Sequence, residues 1–176
     1  GDTWYQYSDY IVENNKPKLI RRHTDDYEYA PFYREIIEEL KGNKMVKTTR
    51  SSLALERYHI EECFKFHVDK VNKDIILCNF YDDRLYYVIL DAKQNVEFYY
   101  PFEELRQTSD FIFYRKNGKL TFKNKDASYT IYDKSGKIGV DITYKGKTHQ
   151  WKGNAKSRRG NIGKLLKGSL NNVVYQ

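Results

Sequence analysis

His59, Glu61, Cys63, Lys65, His67 and Asp69 alternate with Tyr58, Ile60, Phe64, Phe66 and Val68, so in an extended strand the six polar side chains share one face. Imidazole, carboxylate and thiolate are ligand types for zinc or iron. Distance argues against one shared ion: at ~3.3 Å per residue, His59 and His67 stand about 26 Å apart. Only near neighbours, His59 with Glu61 or His67 with Asp69 at ~7 Å, can converge, and each pair needs ligands from another strand. The expectation is a polar outer face, with no metal and no cofactor.

Cys63 and Cys78 are the only cysteines, too few for a disulfide framework and without CxxC spacing. If a short hairpin near 70–73 joins their strands, both fall on one face. In one register they lie directly opposite and a disulfide is possible; in the others they stay free. Gly160-Asn161-Ile162-Gly163-Lys164 is a GxxG followed by lysine, with Lys152, Lys156, Arg158 and Arg159 upstream. Glycines let backbone N–H groups approach a phosphate that the cations neutralise, which makes Lys152, Lys156, Arg158, Arg159, Gly160, Gly163 and Lys164 the candidate anion-binding set. It is not a P-loop: residue 158 is Arg where that motif has its first glycine, and Leu165 follows the lysine. No nucleophile with its base and no glycosidase-like carboxylate pair stands out, so no catalytic residue is assigned.

Charge placement supports the third of these chemistries. After Asp141 the chain has no acidic residue and eight basic ones. Taking those eight from the 31 Lys and Arg leaves 23 against 24 Asp and Glu, so the whole net charge of +7 sits in the C-terminal fifth. Such asymmetry implies an anionic partner or a solvated end. The 17 tyrosines include the adjacent pairs Tyr86-Tyr87 and Tyr99-Tyr100, which put an aromatic ring on each face of a strand. Such rings either stack on a ligand or fill a second layer.

These residues need elements to hold them. Pro31 at a first helical turn, the spacing of Tyr33, Ile36, Ile37 and Leu40, and Gly42 as a cap predict an amphipathic helix over 31–41. A shorter helix is expected over 51–55, opened by a serine cap. From residue 57 the apolar period becomes two, and strand-like runs follow to 152, broken by Asp82-Asp83, Asn117-Gly118, Ser135-Gly136 and Lys145-Gly146. Asn117-Gly118 reads as a type I′ hairpin, and a helical turn is expected over 101–106. A two-residue turn at Lys145-Gly146 sets Tyr144 opposite Lys147, Ile142 opposite His149 and Val140 opposite Trp151, which points His149 and Trp151 at the core. Beyond 153 the chain turns irregular, with a poor helix over 161–170.

The expected fold is α+β and mainly β: an antiparallel meander of eight or nine strands, curled into a sheet or barrel, preceded by the 31–41 helix. The chain reads as a single domain with an N-terminal helical and irregular region (1–56), a β meander (57–152) and a basic C-terminal segment (153–176). The longest apolar run, 85–90, is about six residues, far short of a transmembrane helix. The chain begins Gly1-Asp2 and its single methionine is Met45, from which a removed signal peptide, and so a periplasmic or secreted protein, is expected over a cytoplasmic one. Function follows the same lines: a non-enzymatic, exported, β-rich binding or interaction module of unknown ligand. The alternative is an intracellular nucleic-acid-binding protein that uses the basic C-terminal segment, and an enzyme ranks behind both.

Overall fold

The computed structural model describes residues 4–26, 32–53, 63–80, 83–101 and 109–176. The chain forms two compact units, 1–54 and 55–176. Both are built from antiparallel sheets, and neither closes into the barrel that the long meander suggested.

The N-terminal unit is a four-stranded meander: β1 (Trp4–Glu13), β2 (Lys16–Asp26), β3 (Phe32–Lys41) and β4 (Lys44–Leu53), in that spatial order. Asn14 and Asn15, both at positive φ, make the two-residue turn between β1 and β2. The predicted helix over 31–41 is therefore strand β3, and most of the predicted 51–55 helix belongs to β4. The reason lies in what β3 does not bury. Tyr33, Glu35, Ile37 and Glu39 line one face, Arg34, Ile36, Glu38 and Leu40 the other, so period two gives no apolar side and the helical spacing dominates. Pairing on both edges decides instead, with Arg22 opposite Glu38 and Glu38 opposite Lys47. Gly42, read as a helix cap, occupies the turn between β3 and β4 at φ +62°.

The described residues form fourteen strands, more than the eight or nine expected: four in the N-terminal unit and ten in the second, nine of these within 57–152 and one near the C-terminus. β5 (Phe64–Val68), β6 (Lys73–Phe80), β7 (Arg84–Leu90) and β8 (Val96–Tyr100) form one sheet in sequence order. β9 (Phe111–Tyr114), β10 (Lys119–Asn124), β11 (Ala127–Lys134), β12 (Lys137–Tyr144), β13 (Lys147–Lys152) and β14 (Val173–Tyr175) form the other. Its order is β13-β12-β11-β10-β9-β14, with β14 parallel to β9. One face of each sheet enters a shared core, Phe64, Phe66, Leu77 and Tyr87 from the first and Leu120, Phe122, Ile131 and Val140 from the second. Residues 57–62 and the helical turn expected over 101–106, apart from Pro101, lie outside the described residues.

Local expectations fare unevenly. The β12–β13 register is the predicted one, with Ile142 opposite His149 and Val140 opposite Trp151. Trp151 packs against the core, but His149, expected to point there too, is exposed. Asn117-Gly118 is not a two-residue hairpin. Tyr114 pairs with Lys119, and the four residues between them close on hydrogen bonds from Asn117 N and Gly118 N to the Tyr114 carbonyl. The predicted 161–170 helix shrinks to one turn, α1 (Ile162–Leu165), capped by the Asn161 side chain, with Ile162, Leu165 and Leu166 buried as their spacing implies.

The C-terminus is fastened by one buried amide. Asn172 accepts from Leu85 N at 2.8 Å and donates to Leu85 O at 3.0 Å and to Asp110 Oδ2 at 3.2 Å. Arg84 meets the same carboxylate at 3.0 Å. This joins β7, the start of β9 and the approach to β14. Asn172→Ala leaves the Leu85 backbone and Asp110 short of partners in a dry site, so it is expected to lower unfolding stability by about 2–4 kcal/mol, read from the urea midpoint.

Candidate functional site

The two sheets of the second unit bring few of the predicted anion-binding residues together. Segment 153–160 runs along β5: Lys65 and Arg159 exchange backbone hydrogen bonds at 2.9 and 2.8 Å, and Asn154 N donates to His67 O at 2.7 Å. The basic segment thus covers a sheet edge. Arg158 is committed to Asp133, Nη2 to Oδ2 at 2.8 Å, where the carboxylate is 2% exposed. Gly160 serves close approach at φ +70°, since a Cβ there would lie 2.1 Å from the Cys63 carbonyl oxygen. Lys156 is exposed on a single 3-10 turn, and Lys152 lines a separate small groove beside Tyr132 and Lys137. Of the seven residues, Gly160 and Lys164 alone line a cleft of about 950 Å³, with Asn79, Asp83, Lys167 and Ser169. Gly163 is exposed on α1.

Cys63 and Cys78 stand opposite each other in the β5–β6 register and are joined by a disulfide, their Cα atoms 4.4 Å apart. That separation fits a non-hydrogen-bonded cross-strand pair.

On the outer face of β5, Lys65, His67 and Asp69 point away from the core as predicted, while His59 and Glu61 lie outside the described residues. His67 Nδ1 lies 2.8 Å from Asp74 Oδ1, and the other Asp74 oxygen takes Lys65 Nζ at 2.9 Å and Gln94 Nε2 at 3.0 Å. An Asp–His pair of this kind serves catalysis when a nucleophile sits on the second ring nitrogen. Here the near hydroxyl, Ser157, accepts from the His67 backbone N at 2.8 Å and donates to Asn154 O at 2.7 Å. The cluster is a fastening between β5, β6 and segment 153–160.

Burial alone would raise the Asp74 carboxyl, but hydrogen bonds from Gln94, His67 and Lys65 outweigh it and hold the group below the ordinary aspartate range. Asp110 goes the other way: burial raises it, and Asn172 and Arg84 recover only part.

The N-terminal sheet carries the most unusual surface. None of its described residues is buried. Charge alternates across the strands: Asp9 faces Arg21, which faces Glu39, and Arg22, Glu38 and Lys47 form a parallel row. The edge strand β1 exposes Trp4, Tyr5, Tyr7, Tyr10, Ile11 and Val12, with Tyr7 at 62% and Val12 at 79%. One row breaks the alternation, because Asp25 lies directly opposite Glu35. His23 Nε2 sits 3.0 Å from an oxygen of each, and Tyr33 donates to Asp25 Oδ1 at 2.6 Å. Sequence reasoning missed this cluster because it placed Glu35 on a helix; had β3 been read as a strand, the two-residue turn at Gly42-Asn43 would still leave the β2–β3 pairing open.

Comparison with family models, with curated proteins and with solved structures finds no match.

Two outcomes follow from these geometries. Because the folded-state value of Asp74 is depressed, its stabilisation is present above the unfolded value and is lost as pH falls through the folded one. Asp110 has the opposite sign, its contribution being present below the unfolded value and lost as pH rises through the folded one. Asp74→Asn is expected to lower stability at neutral pH and to flatten the acid limb of a urea-midpoint profile taken between about pH 3 and pH 7. Arg158→Ala leaves the buried Asp133 only its longer contacts, from Asn161 Nδ2 at 3.3 Å and Ile162 N at 3.4 Å, and should cost about 2 kcal/mol in the same assay, whereas Lys164→Ala should stay within about 0.5 kcal/mol of the parent.

Proposed function

We propose that the chain is a non-enzymatic, exported interaction module that receives an extended, basic strand of a protein partner along β1. The observation that carries this reading is the contrast between the two edges of the N-terminal sheet. β4 bears Lys44, Lys47 and Arg50, the kind of charged residues with which sheets discourage further pairing. β1 instead offers an aromatic and aliphatic row broken by the carboxylates of Asp9 and Glu13. Among the described residues it has a strand neighbour on one side only. Strand addition supplies affinity through main-chain hydrogen bonds and specificity through alternate side chains. Rigid tyrosines provide large contact area at low entropic cost, and the carboxylates favour a cationic strand.

Two features support the rest of the reading. A bridged Cys63–Cys78 pair suits an oxidising compartment. The polar clusters with catalytic residue types, Asp74–His67 and Arg158–Asp133, are occupied by contacts within the fold. The nucleic-acid alternative loses support for the same reason, because Arg158 and the backbone of Arg159 hold segment 153–160 in place.

The test uses a ten-residue peptide alternating Lys with Val and Thr, its Glu-for-Lys counterpart, and a version with a central Pro, each titrated against the full chain by fluorescence anisotropy. Binding of the Lys peptide is expected in the micromolar range, at least about tenfold weaker for the Glu peptide, and lost with Pro. Equal binding of all three, or of none, overturns the strand-receptor reading. So does a stable dimer in light scattering that Val12→Lys dissolves, since the occupant would then be a second copy. Alkylation of the protein taken directly from its native cells should find both thiols blocked; two free thiols would overturn the export component.

A further inference from the structure

We infer that His23, Asp25 and Glu35 form a binding site for a divalent transition metal ion, zinc being the best fit. The inference does not rest on the strand-receptor reading. Its starting point is the broken row of the N-terminal sheet. Like charges directly opposite each other across two strands destabilise a sheet, and β2 and β3 otherwise pair opposite charges, Arg21 with Glu39 and Arg22 with Glu38. At Asp25 and Glu35 two carboxylates meet instead, with Arg50 of β4 opposite Glu35 on its far side and Tyr5 of β1 opposite Asp25, and a positive centre between the two carboxylates relieves the conflict that remains.

An imidazolium at His23 is one such centre, and its geometry is poor. Nε2 is buried and 3.0 Å from both Asp25 Oδ1 and Glu35 Oε1, yet it makes a hydrogen bond to neither. A ring N–H points along one fixed in-plane direction and cannot serve two oxygens on either side of it. A metal ion has no such restriction. One ligand atom from each of the three residues lies within 4.8 Å of the others. A tetrahedral ion with metal–ligand bonds of ~2.0–2.2 Å holds its donors ~3.3 Å apart, so small rotations suffice.

The surroundings resemble a supporting shell. Tyr33 donates to Asp25 Oδ1 at 2.6 Å and so fixes that carboxylate. The Tyr7 ring packs 6.4 Å from the His23 ring. One imidazole with two carboxylates selects a borderline ion such as Zn²⁺ over the harder Ca²⁺ or Mg²⁺, and three protein ligands leave a fourth position for water or an incoming group. The energetic need is plain as well. With no buried residue among those described, this sheet has ion pairs between exposed or half-exposed side chains as cross-links, each worth at most about 1 kcal/mol. A metal bound only by the folded sheet adds its binding free energy to folding.

The experiment is equilibrium dialysis of the full chain against Zn²⁺, with Ca²⁺ as the competing hard ion, together with visible absorption of the Co²⁺-loaded protein. One equivalent of Zn²⁺ is expected, unaffected by excess Ca²⁺, with the d–d bands of four-coordinate Co²⁺. Glu35→Gln, which keeps size and shape, should abolish the Co²⁺ spectrum, and His23→Ala should abolish binding. Tyr33→Phe removes no ligand and should weaken binding about tenfold. His149→Ala should change nothing. Unaltered binding in both the His23 and Glu35 variants, or no saturable binding by the parent, overturns the site. Failure of peptide binding with the metal retained would overturn only the strand-receptor reading.

Discussion

The second unit depends on one column of rings. Phe98 stacks on Tyr129 at 5.5 Å, Tyr129 on Phe122 at 4.5 Å, and Phe122 on Tyr100 at 4.4 Å. Phe98 and Tyr100 come from β8 and the other two from β11 and β10, so the column is the contact by which the two sheets grip each other. Each ring pair adds about 0.5–1.5 kcal/mol beyond the area it buries. The same packing seals Tyr87, whose hydroxyl is buried without a hydrogen-bond partner and whose acidity burial suppresses, with Tyr129 adding to the effect. Excluding water so fully is costly for a phenol, and it shows how strongly the apolar contacts dominate there.

The N-terminal sheet has no such column, and different physics fixes its register. Slipping one residue in a half-buried strand would swap its core and solvent faces, which makes slippage expensive. A sheet with no buried residue among those described, only exposed and half-buried ones, lacks that penalty. Here the turns at Asn14-Asn15 and Gly42-Asn43 and the alternating charges do the specifying. Charge ladders are weak and salt-sensitive, so this sheet gains more from a bound ion or an added strand than the second unit would. The local conflict at Asp25 and Glu35 and the uncovered β1 edge both lie in the unit that has least else to hold it.

What the sequence disclosed follows the same division. Where one side of a strand is buried, its alternation is visible in the residues, and the strands of 63–152 and the Lys145-Gly146 turn emerged from period and turn chemistry alone. Where neither side is buried, Ile36, Ile37 and Leu40 imitate a helix as well as a strand, and β3 was misread. The disulfide was legible as one register among several, because only the four-residue connection between Val68 and Lys73 sets Cys63 opposite Cys78. No local pattern announces that Arg158 reaches Asp133, 25 residues away, so that commitment of the Arg158 side chain was not legible in the sequence. Asp25 and Glu35 carried no sequence signal, as neither residue is unusual until β2 and β3 are laid side by side.

The C-terminal charge excess then acquires a structural meaning. Seven of the eight cations after Asp141 are exposed, but segment 153–160 closes the β5 edge with backbone bonds and puts the eighth, the Arg158 guanidinium, on a nearly buried carboxylate. Gly160 fits there because the Cys63 carbonyl occupies the space of a side chain. The disulfide closes a loop of sequence separation 15 at the same corner, worth about 3 kcal/mol in the chain-entropy account. Edge closure, ion pair, glycine and disulfide thus converge where β5 begins, so segment 153–160 is a seal on that edge of the second unit, while Lys164 and Lys167 beyond it are exposed.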